Sequence, residues 1–127
     1  MIYPTFEIPG PVRGFVHGGF LKFNREKAKR YREYDAWREK VRLLANCSQV
    51  PGELDPDEAW EVVISIKWNK RARIDGDGVM KGILDALWDR DRRVLFGRYA
   101  SIEHTGEECV QVKVQKVEPL MARKGDC

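Results

Sequence analysis

Between Trp60 and Trp68 the chain alternates almost without interruption, with Trp60, Val62, Ile64, Ile66 and Trp68 on one side. Period two sustained over nine residues describes a strand with one face against a core. The pattern then changes. After a basic run and a Gly-rich acidic turn, Val79, Ile83 and Leu87, with Met80, Leu84 and Trp88, recur at spacing four, which predicts a helix over Val79–Trp88. A strand feeding directly into a helix commits the chain to a mixed architecture.

The remaining elements fit that plan. Met1–Pro9 alternates loosely through Ile2, Phe6 and Ile8 and ends in Pro-Gly-Pro, a short strand followed by a loop. Val12–Phe23 is rich in glycine and aromatics and reads as an extended loop or a hairpin turning at Gly18-Gly19. Asn24 can cap a helix, and Tyr31, Tyr34, Trp37, Val41 and Leu44 then recur every three or four residues, giving five or six turns with basic residues outward. Pro51–Glu58 is a polar connection. Arg98–His104 and Cys109–Val117 read as strands, with a hairpin expected around Gly106. The fold class is therefore α+β (mixed α/β): one small domain over residues 1–118, a mixed sheet with two main helices packed on it. Residues 119–127 read as a disordered tail.

At 127 residues, 43% of them hydrophobic, the chain can build a core without disulfides or a structural metal. Cys47, Cys109 and Cys127 make an odd count without CxxC spacing, and His17 and His104 stand alone, so a zinc site is not expected. No apolar run reaches membrane-spanning length and the N-terminus lacks the pattern of a signal peptide, so a cytoplasmic protein is expected. Net charge is only +3, yet Lys22–Arg42 holds nine Lys/Arg against four acids, locally about +5. Such a segment favours a polyanion partner.

The chemistry is expected between Arg71 and Val94. Asp75, Asp77, Asp85 and Asp91 lie within 17 positions, with Lys81 among them and arginines at both ends. Carboxylates gathered so closely repel one another unless a cation or strong hydrogen bonds compensate. Hard oxygen ligands suit Mg²⁺, with Mn²⁺ as an alternative, and the flanking cations suit a phosphate-bearing substrate. If the backbone is extended at Asp75-Gly76-Asp77, both carboxylates face one side, and Gly76 and Gly78 permit a sharp turn. The competing structural account is an Asp77 helix cap with a Lys81–Asp85 surface pair. An EF-hand register from Asp75 fails at Val79, Met80 and Ala86, and a nucleotide-sugar D-x-D site lacks room for its usual domain.

A basic run (Arg71, Arg73), Asp75-Gly76-Asp77, Lys81 with Asp85-Ala86-Leu87, and Trp88 with Asp91 and Val94 together resemble the RusA-type Holliday junction endodeoxyribonucleases. The resemblance covers roughly Asn69–Val94. It implies that Asp75, Asp77 and Asp91 hold Mg²⁺ and that Lys81 faces the phosphate, all four being catalytic. Asp89 rivals Asp91 for the third ligand, because Trp88 follows Leu87 directly. Gly78 stands where the family usually has Asn. The implied activity is paired, Mg²⁺-dependent nicking of branched DNA in recombination and repair, by a homodimer. Lys22, Arg25, Lys67, Lys70, Arg71 and Arg73 are the expected phosphate contacts. The strand Trp60–Trp68 is the expected subunit interface, and Phe15–Phe23 the expected DNA surface. Two other readings compete: a structure-specific DNA-binding module with a degenerate acidic site, and a metalloenzyme acting on small phosphate esters.

Overall fold

The computed structural model describes residues 4–16, 25–54, 59–88 and 94–117. The expected Gly18-Gly19 hairpin, the Asn24 cap, Lys22, Asp89, Asp91 and the tail lie outside them. Four strands and two helices follow in the order β1 (Thr5–Pro9), α1 (Arg25–Cys47), β2 (Ala59–Asn69), α2 (Gly76–Trp88), β3 (Val94–His104) and β4 (Cys109–Val117). They form a mixed four-stranded sheet in the order β1-β4-β2-β3, so the α+β class read from the sequence holds.

The alternation of β2 places its even residues inward: Val62, Ile64, Ile66 and Trp68 are at most 1% exposed. They meet Val110, Val112 and Val114 of β4, Tyr34, Trp37 and Val41 of α1, and Val79 and Ile83 of α2 in one core. Each fully buried branched side chain contributes roughly 1.5–3 kcal/mol of hydrophobic stabilisation. The Trp68 indole N–H donates to Ser101 Oγ at 2.7 Å, and the Trp88 indole N–H to Pro51 O at 2.8 Å. Both indoles therefore bury their rings without stranding their polar ends. The opposite face of the sheet, with Thr5, Glu7, Val63, Ser65, Gln111 and Lys113, lines an open concavity of about 500 Å³.

Helix α1 ends in a Schellman motif. Gln49 takes the left-handed conformation with φ of 67°, the Val50 N–H reaches Ala45 O at 3.0 Å and the Gln49 N–H reaches Asn46 O at 3.1 Å. Val50 is then buried and brings the connection back onto the core.

Three expectations are corrected. No hairpin pairs β3 with β4: β2 lies between them, parallel to β3 and antiparallel to β4. The parallel pair has α2 as its crossover, as parallel strands require. Central placement also leaves β2 no free edge for strand pairing between subunits, so only its outward face could serve the expected interface. Finally, α2 begins at Gly76 rather than Val79.

Glu108, in the connection between β3 and β4, joins distant segments. Its carboxylate accepts the Val12 N–H at 3.0 Å and the Arg73 guanidinium, with the Asn69 N–H also contributing. Burial disfavours its charged form, but those donors outweigh burial and hold its pKa below the ordinary 4.5. A carboxyl whose pKa is depressed on folding stabilises the protein above its unfolded pKa, and that contribution disappears as pH falls through the folded value. Urea midpoints measured from about pH 7 down to about pH 3 should therefore fall more steeply for the unsubstituted protein than for Glu108→Gln.

Candidate functional site

The acidic motif lies where β2 hands over to α2. Lys70 takes a left-handed φ of 69°, and its N–H donates to His104 O at 2.7 Å, which turns the chain away from the sheet. A non-glycine residue in that region costs roughly 1–2 kcal/mol, a local strain imposed just before the basic run.

Asp75 rather than Asp77 is the residue that caps α2. The Asp75 carbonyl accepts the Gly78 N–H at 3.0 Å and the Val79 N–H at 3.2 Å, and Asp77 falls within the first helical turn. The two are thus not an extended i, i+2 pair, and neither Gly76 nor Gly78 has a positive φ. What Gly76 supplies is clearance. A Cβ on Gly76 would come within 2.0 Å of the Tyr99 ring. A Cβ on Gly14 would come within 2.7 Å of Ile74 Cγ2, next to the Gly78 carbonyl.

Asp75 and Asp77 are both exposed, and Lys81, one turn further on, is exposed as well. The helix N-terminus carries roughly half a positive charge, so by itself it favours carboxylates and phosphate over a cation. Divalent metal binding there needs enough carboxylate charge to reverse that preference. Asp75 and Asp77 supply two carboxylates at this turn. Among the described residues no group of three or more His, Cys, Asp or Glu side chains could hold a metal; Asp91 and its rival Asp89 lie outside them.

Asp85 has a different task. It accepts the Tyr34 hydroxyl at 2.5 Å and the Arg38 guanidinium at 2.8 Å, while Arg38 also reaches Asp35 at 2.5 Å. Burial, and then the bond to Asp85, raise the Tyr34 pKa, so the phenol remains a donor. The Lys81–Asp85 surface pair expected on the structural account does not form. The Lys81 ammonium lies instead 4.1 Å from the centroid of the Phe15 ring.

The expected phosphate contacts separate into groups. Lys70 and Arg71 are exposed in the turn that leads from β2 toward Asp75. Arg73 is held by Glu108 and lies over the Trp68 ring at 5.6 Å, so it works as a tie between segments. Lys67 follows the odd residues of β2 onto the face away from the core, apart from the acidic turn. Arg25 opens α1 and is exposed. Further along α1, Lys29 and Arg30 line a cleft of about 430 Å³ with Arg13, Phe15 and Ile74, the last of these next to Asp75 in the chain. Glu26 and Glu33 line the same cleft, and Glu33 pairs with Arg13 at 3.1 Å, so its charge is mixed.

Glu108 and the pairing of Tyr34 and Arg38 with Asp85 escaped the sequence reading, and Phe15 entered it only as the start of the expected DNA surface. Tyr34 and Arg38 meet Asp85 from 51 and 47 residues away, so no local spacing signals the contact. No protein-family model matches the chain, and no curated protein matches it.

The division of labour between Asp85 and Lys81 is measurable. Tyr34→Phe should lower unfolding free energy by about 1–3 kcal/mol, since it strips a bond from a half-buried carboxylate. Lys81→Gln should change it by less than about 1 kcal/mol, the size of an exposed cation–π contact. Equal losses in urea titrations would refute this assignment.

Proposed function

We propose that the protein is a Mg²⁺-dependent endodeoxyribonuclease of RusA type that cuts branched DNA in pairs of symmetric nicks. The observation that carries this reading is the set of exposed charges that leads into α2. Two exposed carboxylates, Asp75 and Asp77, follow the exposed cations Lys70 and Arg71 along the turn, and the ammonium of Lys81, one helical turn past Asp77, lies over the Phe15 ring rather than on a carboxylate. Carboxylates and cations interleaved in this way suit a phosphodiester, one set toward a metal and the other toward the phosphate oxygens.

The chain's own residues divide the work. Asp75 and Asp77, joined in this reading by Asp91, hold Mg²⁺ or Mn²⁺; the metal supplies Lewis acidity and activates water when bound. Lys81 neutralises charge building on the phosphate oxygens, an electrostatic role. Lys70 and Arg71 hold the flanking backbone, and the basic half of α1 holds the strand further out. Arg73 supports the site through Glu108. The N–H groups at the start of α2 add a site for a phosphate oxygen.

Paired nicking of a four-way junction needs two active sites related by a two-fold axis, hence a homodimer. No described helix is long and apolar enough to cross a membrane.

The second reading keeps the DNA and removes the cutting. The Gly76 clearance and the Asp75 cap account for Asp75-Gly76 as packing alone, which favours a branched-DNA-binding module as the alternative.

A labelled four-way junction and a linear duplex of the same sequence, each with Mg²⁺ and with EDTA, separate the two. The nuclease reading predicts Mg²⁺-dependent paired nicks in the junction that ligase reseals, and at least a hundredfold loss of rate in Asp77→Asn, on the order of losing a charge-stabilising group. Binding should weaken steeply with salt. Tight junction binding without cutting in Mg²⁺ or Mn²⁺ would establish the binding module instead.

A further inference from the structure

Lys81 has carboxylates at the two positions that normally capture a helical lysine, Asp77 four residues before it and Asp85 four residues after. Among the described residues it pairs with neither. Asp85 is taken by Tyr34 and Arg38, and the Lys81 ammonium lies over Phe15 at 4.1 Å.

Phe15 belongs to neither helix, yet it is held from several sides. Its N–H donates to Gly78 O at 3.0 Å, which fastens it to the first turn of α2. Its ring meets Tyr34 edge-on, with centroids 5.7 Å apart and planes at 70°. Gly14 and Gly82 let the segment lie this close. A Cβ on Gly14 would collide with Ile74 at 2.7 Å, and one on Gly82 would crowd Tyr34, Trp37 and the Phe15 nitrogen at 3.2, 3.3 and 3.4 Å. The same tyrosine that occupies Asp85 therefore also abuts the ring that holds Lys81.

We propose that Phe15 is the positioning residue for Lys81. Its ring holds the ammonium away from the ion pairs offered by its own helix, beside the start of α2. A ring face attracts a cation through its quadrupole but neither neutralises it nor binds it as tightly as a carboxylate does. The charge thus stays fixed in place and available to an incoming phosphate. This inference rests on reading the site as one that cleaves phosphodiesters, and it adds a residue that the acidic motif does not contain.

Two readouts on the full chain test it. In NMR spectra of isotope-labelled protein, ring current should move the Lys81 ε-methylene protons upfield. Phe15→Leu should abolish that shift and Phe15→Trp should keep it. In junction cleavage, Phe15→Leu should lower kcat roughly tenfold, the rate equivalent of a cation–π contact at the stronger end of its range. KM should hold within about twofold, as for an interaction used only in the transition state. Phe15→Trp should restore most of the rate, which a merely disrupted fold would not allow.

An absent upfield shift in the unsubstituted protein would overturn the stack itself. A shift lost in Phe15→Leu with kcat unchanged would overturn the positioning role and leave the nuclease reading intact. No cleavage by the unsubstituted protein, with the shift present, would sink the nuclease reading and the positioning role with it.

Discussion

The arrangement of the site depends on how Asp85 is satisfied. It lies on the second helix and takes its hydrogen bonds from Tyr34 and Arg38 of the first. Because both donors come from one face of α1, the bonds fix the rotation of α2 about its own axis as well as its distance. Rotation decides what the helix start presents to solvent. With Asp85 turned toward α1, Val79, Ile83 and Ala86 face the core and Asp77 and Lys81 face outward. A half-buried carboxylate with two donors is costly to break, since losing one leaves charge poorly compensated. The acidic residue that most resembles a surface ion-pair partner in sequence is therefore the one that orients the helix.

Glu108 does for the loops what Asp85 does for the helices. Through Val12, Asn69 and Arg73 it gathers the segment after β1 and the turn after β2 at one end of the sheet. Phe15 reaches α2 because that segment is held there. The first turn of the second helix is thus held by the Phe15 segment through the Phe15 N–H to Gly78 O.

Much of this was legible in the chain. The alternation of Trp60–Trp68 and the aromatic spacing of Tyr34, Trp37 and Val41 located β2 and α1 because each burial pattern repeats at its own period. What the pattern could not carry was pairing: Arg98–His104 and Cys109–Val117 look like a hairpin, yet β2 separates them. Short connections favour adjacency, but the buried faces of β2 and β4 match better, with Val62, Ile64 and Ile66 opposite Val114, Val112 and Val110. The start of α2 was misplaced for a related reason. Glycines at 76 and 78 argue against helix by propensity; the Tyr99 ring packed against Gly76 explains the first, whereas a Cβ at Gly78 would meet only Ile74, at 3.4 Å. At the site, Asp75, Asp77 and Lys81 were found by residue type and spacing, whereas Phe15 and Glu108 act through contacts with no local period.

The proposed nuclease requires the start of α2 to attract a divalent cation despite a helix dipole that opposes it. Titrating Mn²⁺ into isotope-labelled protein and following amide line broadening tests that directly, because paramagnetic broadening falls off steeply with distance from the ion. The account predicts that Ile74–Gly78 broaden first, and that Asp75→Asn with Asp77→Asn removes the effect. Broadening that begins elsewhere, or that survives the double substitution, would contradict it.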